Sequence, residues 1–232
     1  MNKISIVIPA YNEEYNIEYV VNEAIEVLKN ATDCPEIIIV DDGSNDSTGK
    51  KLNKLKEKFN YLKIIQHSYN KGVGESIVDG FMAASGDLIF FNSADRQAPM
   101  SYLMTMLPEM DNYDLVVAGY FKRKDSFIRV LFSRCYHFLI RILFNIKLHN
   151  VNAMKLLKKE VFDKNIKWGR NLCIDTEIVA RAKKKNCKIG EVPLEHYPRV
   201  KGETKFVNVK NTLVTFINLF ILYFKLQKEK LN

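Results

Sequence analysis

Carboxylates and carboxamides gather in three short runs of the chain: Pro9-Ala10-Tyr11-Asn12-Glu13-Glu14, Val40-Asp41-Asp42-Gly43-Ser44 and Ser93-Ala94-Asp95-Arg96-Gln97-Ala98-Pro99. Their oxygens are the hard donors that Mg²⁺ or Mn²⁺ prefers. Brought together, such loops would suit a nucleotide diphosphate held with a divalent metal. Asp41 and Asp42 taken alone would be ordinary strand-end turn formers. A Rossmann phosphate loop is not indicated, because Asn70-Lys71-Gly72-Val73-Gly74 lacks the third glycine at G-x-G-x-x-G spacing. No G-x-x-x-x-G-K-[ST] loop is present either.

The elements that must position these runs can be read from periodicity. Residues 4–9 (ISIVIP), 36–44 (EIIIVDDGS), 62–66 (LKIIQ), 87–92 (DLIFFN) and 113–119 (YDLVVAG) are strand candidates. Between them, Ile17, Val20, Val21, Ala24 and Leu28 recur at helical spacing, and so do Leu52, Leu55 and Phe59. A further helix is predicted over 72–85. Alternation at this rhythm predicts an α/β fold with a mostly parallel sheet flanked by helices. In such sheets ligands bind outside the carboxyl ends of the strands, and PAYNEE, DDGS and NSADRQ all fall there.

The 232 residues suit one domain with a small appendage, and 47% hydrophobic content suffices for a core. The four cysteines, Cys34, Cys135, Cys173 and Cys187, form no C-x-x-C pair, which suits reduced thiols rather than a zinc site or a disulfide frame. The apolar run at the start ends at Pro9, too short for a signal peptide. No stretch of about 20 apolar residues is present to cross a bilayer. The formal charge of +8 favours anionic partners, and its cations gather after residue 121. Nucleic acid is not expected, because no recognised module is present.

Two segments stand apart. Residues 125–147 place Arg129, Ser133, His137, Arg141 and Asn145 four apart with apolar residues nearly everywhere else. Residues 211–230 repeat the theme with Asn211, Thr215, Asn218 and Lys225. Such helices must bury most of their circumference in protein or lipid. Core or dimer packing suits either one alone. Two together, both basic, favour lying on a membrane surface.

Taken in order, the three acidic runs and Asn70-Lys71-Gly72-Val73-Gly74 resemble the family 2 glycosyltransferases of the GT-A fold. Asp175-Thr176-Glu177-Ile178-Val179-Ala180-Arg181, Gly190-Glu191-Val192-Pro193 and the run from His196 to Lys205 resemble the polyprenyl- or dolichyl-phosphate sugar synthase branch. The resemblance covers residues 4 to about 205. It implies a glycosyltransferase domain over 1–206, followed by an amphipathic helix over 207–232. It also implies that Pro9, Ala10, Tyr11 and Glu13 line the base and ribose pocket, and that Asp41 accepts a hydrogen bond from the base. Lys71 and Gly72 would approach the nucleotide from the third loop, with Ser93 and Ala94 beside it. Asp95 and Gln97 would hold the Mg²⁺ or Mn²⁺ that bridges the diphosphate. Asp175 would stand near the acceptor: as general base for a hydroxyl, or only as an orienting group for a lipid phosphate, which arrives already anionic. Arg199 and Lys205 would pair with diphosphate or lipid phosphate.

The chain departs from the family pattern twice. Ser93 stands where a second carboxylate would be expected, and Asn150 opens the segment Asn150-Val151-Asn152-Ala153-Met154-Lys155 where the family usually carries Asp. Three outcomes follow for Ser93: a metal still held by Asp95, Gln97 and the diphosphate; reduced metal dependence, with Arg96, Lys71 or Arg199 sharing the charge; or binding without turnover. His137, His149 and His196 show no ligand spacing and are expected to pack or to bond turns. The expectation is an inverting transfer from a UDP- or GDP-sugar to a polyprenyl phosphate by a peripheral protein on the cytoplasmic membrane face. A homo-oligomer or a membrane partner subunit stays open. The alternatives are a transferase with a saccharide acceptor in cell-surface glycan synthesis and a non-catalytic sugar-nucleotide-binding protein.

Overall fold

The sequence places β-branched residues in short runs, and these form the strands of one seven-stranded sheet. In chain order they are β1 (Ile4–Ala10), β2 (Pro35–Asp41), β3 (Leu62–Gln66), β4 (Leu88–Phe91), β5 (Leu115–Tyr120), β6 (Lys155–Lys158) and β7 (Ile189–Leu194). The computed structural model describes residues 3–120, 127–198 and 209–229. The sheet order is β3-β2-β1-β4-β6-β5-β7. Strand β6 runs antiparallel to both neighbours, and every other pairing is parallel. Ile37, Ile38, Ile39 and Val40 are all fully buried, as expected of a strand covered on both faces.

The helices are α1 (Ile17–Ala31), α2 (Thr48–Lys56), α3 (Val73–Ala83), α4 (Tyr102–Met106), α5 (Phe127–Phe144), α6 (Ile174–Lys184) and α7 (Val209–Lys228). The chain winds leftward through β1, β2 and β3, then returns to β4 on the other side of β1. Right-handed crossovers therefore put α1 and α2 on one face and α3 on the other. Helix α1 packs with α2 and α4, and α3 packs with α6. The winding direction reverses between β1 and β4, the point at which sheets of this kind bind ligands in a crevice outside the strand ends. The loops carrying Pro9–Glu14 and Ser93–Pro99 leave from those two strands.

Helices α5 and α7 pack on each other, with Tyr136 edge-on to Phe216 and Phe144 edge-on to Tyr223. Helix α7 is tied to α6 by polar contacts. Arg181 pairs with Glu229 at 2.5 Å, Lys225 pairs with Glu177 at 2.9 Å, and the Cys173 thiol donates to the Thr215 carbonyl. Thr215 and Lys225, half of the polar stripe read from the sequence, thus face the domain. One apolar face packs inward, with Tyr136, Ile140, Leu219 and Leu222 buried, while Leu131, Phe138 and Ile142 on α5, and Leu213, Ile217, Ile221 and Phe224 on α7, are each at least half exposed. No helix among the described residues is long and apolar enough to cross a membrane.

Candidate active site at the switch of strand order

The loops after β1 and β2 are laced together by side chains binding backbone. Asn12, with a left-handed φ of 52°, donates its amide to Ser44 Oγ, and its side-chain carbonyl accepts from the Asn45 amide. The Glu13 amide donates to Thr48 Oγ1 at 2.8 Å, and its carbonyl accepts from Asn16 and Ile17 where α1 begins. The Glu13 carboxylate is buried and accepts from Asn16 Nδ2. Gly43 has φ +69°, and a Cβ there would lie 2.4 Å from the Tyr69 backbone. Only glycine lets the β2 and β3 loops approach so closely.

The paired carboxylates after β2 have separate tasks. Asp41 is fully buried and accepts from the Ser44 amide at 3.1 Å and, more weakly, from Gln66 Nε2. Asp42 accepts the backbone amides of Lys71 and Gly72, one on each oxygen and both at 2.9 Å. It therefore fixes the turn from which α3 starts. Gly72 has φ +97°, and nothing lies within 4 Å of where its Cβ would sit, so this backbone borders open space. Gly74, just beyond it, packs against Asn171 so closely that a Cβ would meet its backbone at 2.4 Å. That contact brings the segment before α6 to the same edge of the sheet.

The loop after β4 is built differently. Asn92 is buried and holds the loop by donating to the Ala98 carbonyl, while its own carbonyl accepts from the Ser93 amide. Ser93 Oγ donates to Asp95 Oδ1 at 2.7 Å, and the Gln97 amide donates to the same oxygen at 3.1 Å. Asp95 Oδ2 takes no hydrogen bond among the described residues. Gln97 exchanges contacts with Tyr197: its carbonyl accepts from the Tyr197 amide at 2.8 Å, and Nε2 donates to the Tyr197 carbonyl. This leaves the Gln97 side-chain oxygen for other partners. Arg96 takes a left-handed φ of 60° and lays its guanidinium 3.6 Å above the Tyr19 ring on α1. It is thereby directed to α1. The donor set fits an Mg²⁺ or Mn²⁺ ion that also draws on phosphate oxygens, since one carboxylate oxygen and one amide oxygen leave most positions to the nucleotide and water. No group of three His, Cys, Asp or Glu side chains able to hold a metal exists among the described residues.

Lys155 begins β6 opposite Phe91, the last residue of β4. Its side chain is fully buried, donates to the Ala153 carbonyl at 2.7 Å, forms an ion pair with Asp175, and lies 4.6 Å from the Phe91 ring. Asp175, in the first turn of α6, thus stands one side chain away from the β4 loop. Reading the sequence singled out Asp175 but not Lys155 as a site residue. The clue available was its place as the basic residue that ends the Asn150–Lys155 segment, as in the family segment it resembles. Behind Asp175, the Tyr136 hydroxyl meets Thr176 Oγ1 at 2.7 Å, and burial pushes the tyrosine well above its ordinary range. Burial likewise pushes the neighbouring Cys173 thiol up to about 11, so neither group ionises readily there.

The remaining expectations are placed as follows. Pro9 and Ala10 end β1 and Tyr11 follows it at the crevice, while Ala94 is buried under the β4 loop. Asn150 is buried, and its side chain accepts the Asn152 amide, a turn-forming role that Asp would also fill. His149 bonds Glu191 at 2.7 Å, and His137 donates from Nδ1 to the Ser133 carbonyl one turn back along α5. Arg199 and Lys205 lie outside the described residues. His67, passed over in the sequence, is buried between two carboxylates beside the Asp42 turn.

Similarity to known proteins agrees with this architecture. Residues 5–166 match the family described as Glycosyl transferase family 2. An undecaprenyl-phosphate 4-deoxy-4-formamido-L-arabinose transferase of Proteus mirabilis is 32% identical over 60% of this chain and 44% of its own. A dolichol-phosphate mannosyltransferase of Pyrococcus furiosus is 29% identical over 88% of this chain and 59% of its own. The chain therefore spans about half the length of these relatives. A crystal structure of glucosyl-3-phosphoglycerate synthase from Mycobacterium tuberculosis, with Mn²⁺, UDP and phosphoglyceric acid, superposes with a TM-score of 0.74. It shares 17% identity and covers 96% of this chain and 78% of its own, a likeness of fold. A matched family over most of the chain, the reversed strand order and the polar loops at that reversal lead to one statement: the chain belongs to glycosyl transferase family 2 and has the GT-A fold.

Proposed function

We propose that this protein is a glycosyltransferase that moves one sugar from a nucleoside diphosphate sugar to a polyprenyl phosphate at the surface of a membrane. The observation that carries the reading is the meeting, at one sheet edge, of the Asp95–Gln97 loop and the Asp175–Lys155 pair. The first supplies oxygen donors for the donor's diphosphate, and the second stands on the acceptor side. Pro9, Ala10, Tyr11, Glu13 and Asp41 border the nucleotide end of the crevice, with Lys71, Gly72, Ser93 and Ala94 around the diphosphate. A divalent metal bound at Asp95 and Gln97 would neutralise charge on the departing nucleoside diphosphate. The chain's own contribution there is geometric: Ser93 and the Gln97 amide pin one oxygen of Asp95 and leave the other turned to the ligand.

Asp175 is already committed to a buried ammonium, the Lys155 side chain. That arrangement suits an acceptor oxygen that arrives as an anion, with Asp175 orienting it for in-line attack on the anomeric carbon and inversion there. Arg199 and Lys205 are assigned to the phosphates. The named relatives transfer sugars to undecaprenyl phosphate or dolichol phosphate, which supports the same acceptor class. The outward apolar side chains of α5 and α7, with Arg134, Arg141 and Lys228 exposed alongside, form a surface suited to anionic lipid.

The test is transfer from labelled UDP- and GDP-sugars, with Mn²⁺, into undecaprenyl phosphate, dolichyl phosphate or free saccharides. Label in the lipid fraction with either prenyl phosphate is the expected result. Label only in saccharide products would replace the acceptor assignment, and no turnover with any pair would support the non-catalytic reading motivated by Ser93.

A further inference from the structure

His67 follows β3 and its side chain is 2% exposed. Its Nδ1 lies 2.7 Å from Asp42 Oδ1 and its Nε2 lies 3.0 Å from Asp79 Oδ2. A carboxylate oxygen only accepts, so each ring nitrogen must carry a proton, and only the imidazolium has two. The charged groups around it come from several elements. Asp42 follows β2, Asp79 and Glu75 lie on α3, and Arg170 approaches from the segment before α6. Arg170 contacts Asp79 Oδ1 at 2.7 Å and also pairs with Glu75. Burial works against the charge on Asp79, but hydrogen bonds from Arg170 and His67 outweigh it and hold the carboxyl below its ordinary range. Asp42 meanwhile spends its two oxygens on the amides of Lys71 and Gly72. The Lys71 side chain itself is exposed.

We infer that His67, as an imidazolium, is a positioning residue for the nucleotide: it holds Asp42 where that carboxylate clamps the Lys71–Gly72 turn against the crevice. The inference rests on the nucleotide reading of that turn but concerns a residue that reading does not use. The chain Arg170–Asp79–His67–Asp42 also fastens the turn to the segment that leads into α6, so donor loop and acceptor helix share one anchor. Neutral imidazole keeps a single N–H and must offer a lone pair to one of the two carboxylates. A ring with only one N–H would therefore replace an attraction by a repulsion at one end of the chain.

The experiment has two arms. In the first, ring ¹⁵N NMR of the full chain reads which ring nitrogens of His67 carry protons, and hydrogen exchange reads the Lys71 and Gly72 amides. The expected result is a ring protonated on both nitrogens, with protection of both amides falling about tenfold on His67→Gln, the loss of one charge-assisted hydrogen bond. Asp79→Asn, which keeps the histidine, should reproduce the loosening while exchange in β1 and β2 stays unchanged. In the second arm, UDP and GDP titrations with Mn²⁺ should show weaker affinity in His67→Gln than in the wild type. A ring with one protonated nitrogen, or unchanged protection in both variants, overturns the inference. If the amides respond but neither nucleotide binds, His67 is shown to hold the turn while the nucleotide reading fails, and its role toward a nucleotide falls with that reading. If a nucleotide binds with the same affinity in wild type and variants, the nucleotide reading stands and the inference fails.

Discussion

Two aspartates at the same edge of one sheet make an instructive pair. Asp42 is buried with both oxygens filled by backbone amides and a histidine, whereas Asp95 has one oxygen filled and one open. Both sit in short polar runs after an apolar strand, and both would be drawn as acidic loop residues. The difference is in hydrogen-bond accounting. A carboxylate whose acceptor capacity is used up internally builds its loop, and one with capacity left over is available to a ligand.

The same substitution at both positions is the sharpest way to break this contrast. Asp95→Asn keeps an oxygen for Ser93 and the Gln97 amide but puts an amide nitrogen where the open oxygen was. Sugar transfer is expected to fall by about 10²–10³, the cost typical of losing one group that stabilises developing charge. Thermal unfolding should move little, and Mn²⁺ titration in the presence of UDP should show the weakened metal. Asp42→Asn instead turns an NH₂ group toward a backbone N–H that needs an acceptor. Stability should drop by about 2 kcal/mol, the cost of a buried unsatisfied donor, measured by urea unfolding. Wild-type stability and nucleotide affinity in the Asp42→Asn variant would erase the distinction.

A third carboxylate, at the opposite end of β2, sharpens the structural side. Glu36 is buried among Lys63, Ser5 and Ser85; burial works against its charge, but these hydrogen bonds prevail and hold its pKa at about 2. A depressed folded-state pKa contributes stability above the ordinary glutamate value, and that contribution is lost as pH falls through about 2. Glu36→Gln should flatten this acid limb of the unfolding curve without changing transfer at neutral pH. The smallest effect is expected at Ser93. Ser93→Ala frees Asp95 to swing and should cost about threefold in apparent Mn²⁺ affinity, while Ser93→Asp should raise it by adding a carboxylate ligand. Tighter metal in Ser93→Ala would show that the serine restrains the loop unproductively.

Much of the frame was legible along the chain. Runs such as EIIIV and LIFF announce buried strands, and the spacing of Ile17, Val20, Val21, Ala24 and Leu28 announces α1, because both periodicities are local. The exposure of α5 and α7 was half legible: their mixed character was plain, but not that Thr215 and Lys225 would turn inward to α6 while Ile217 and Phe224 face out. The candidate site residues divide in the same way. Asp95 and Gln97 were readable as candidates because a short loop carries both. Lys155 and His67 were not, since each owes its meaning to a partner far away in sequence, Asp175 and the Asp42–Asp79 pair.

The sequence by itself determined the fold class, the polar loops at the strand ends and which oxygen donors are candidates for a metal, because these follow from periodicity and from side-chain chemistry within a few residues. Tertiary structure alone decided which carboxylates are spent and which are available. That depends on acceptor capacity used up by groups 25 to 30 positions away, as between Asp42 and His67 or Gly72. It also decided that the carboxylate missing at Ser93 is replaced by a hydroxyl donating to Asp95, so the departure from the family pattern becomes a contact that orients the remaining carboxylate.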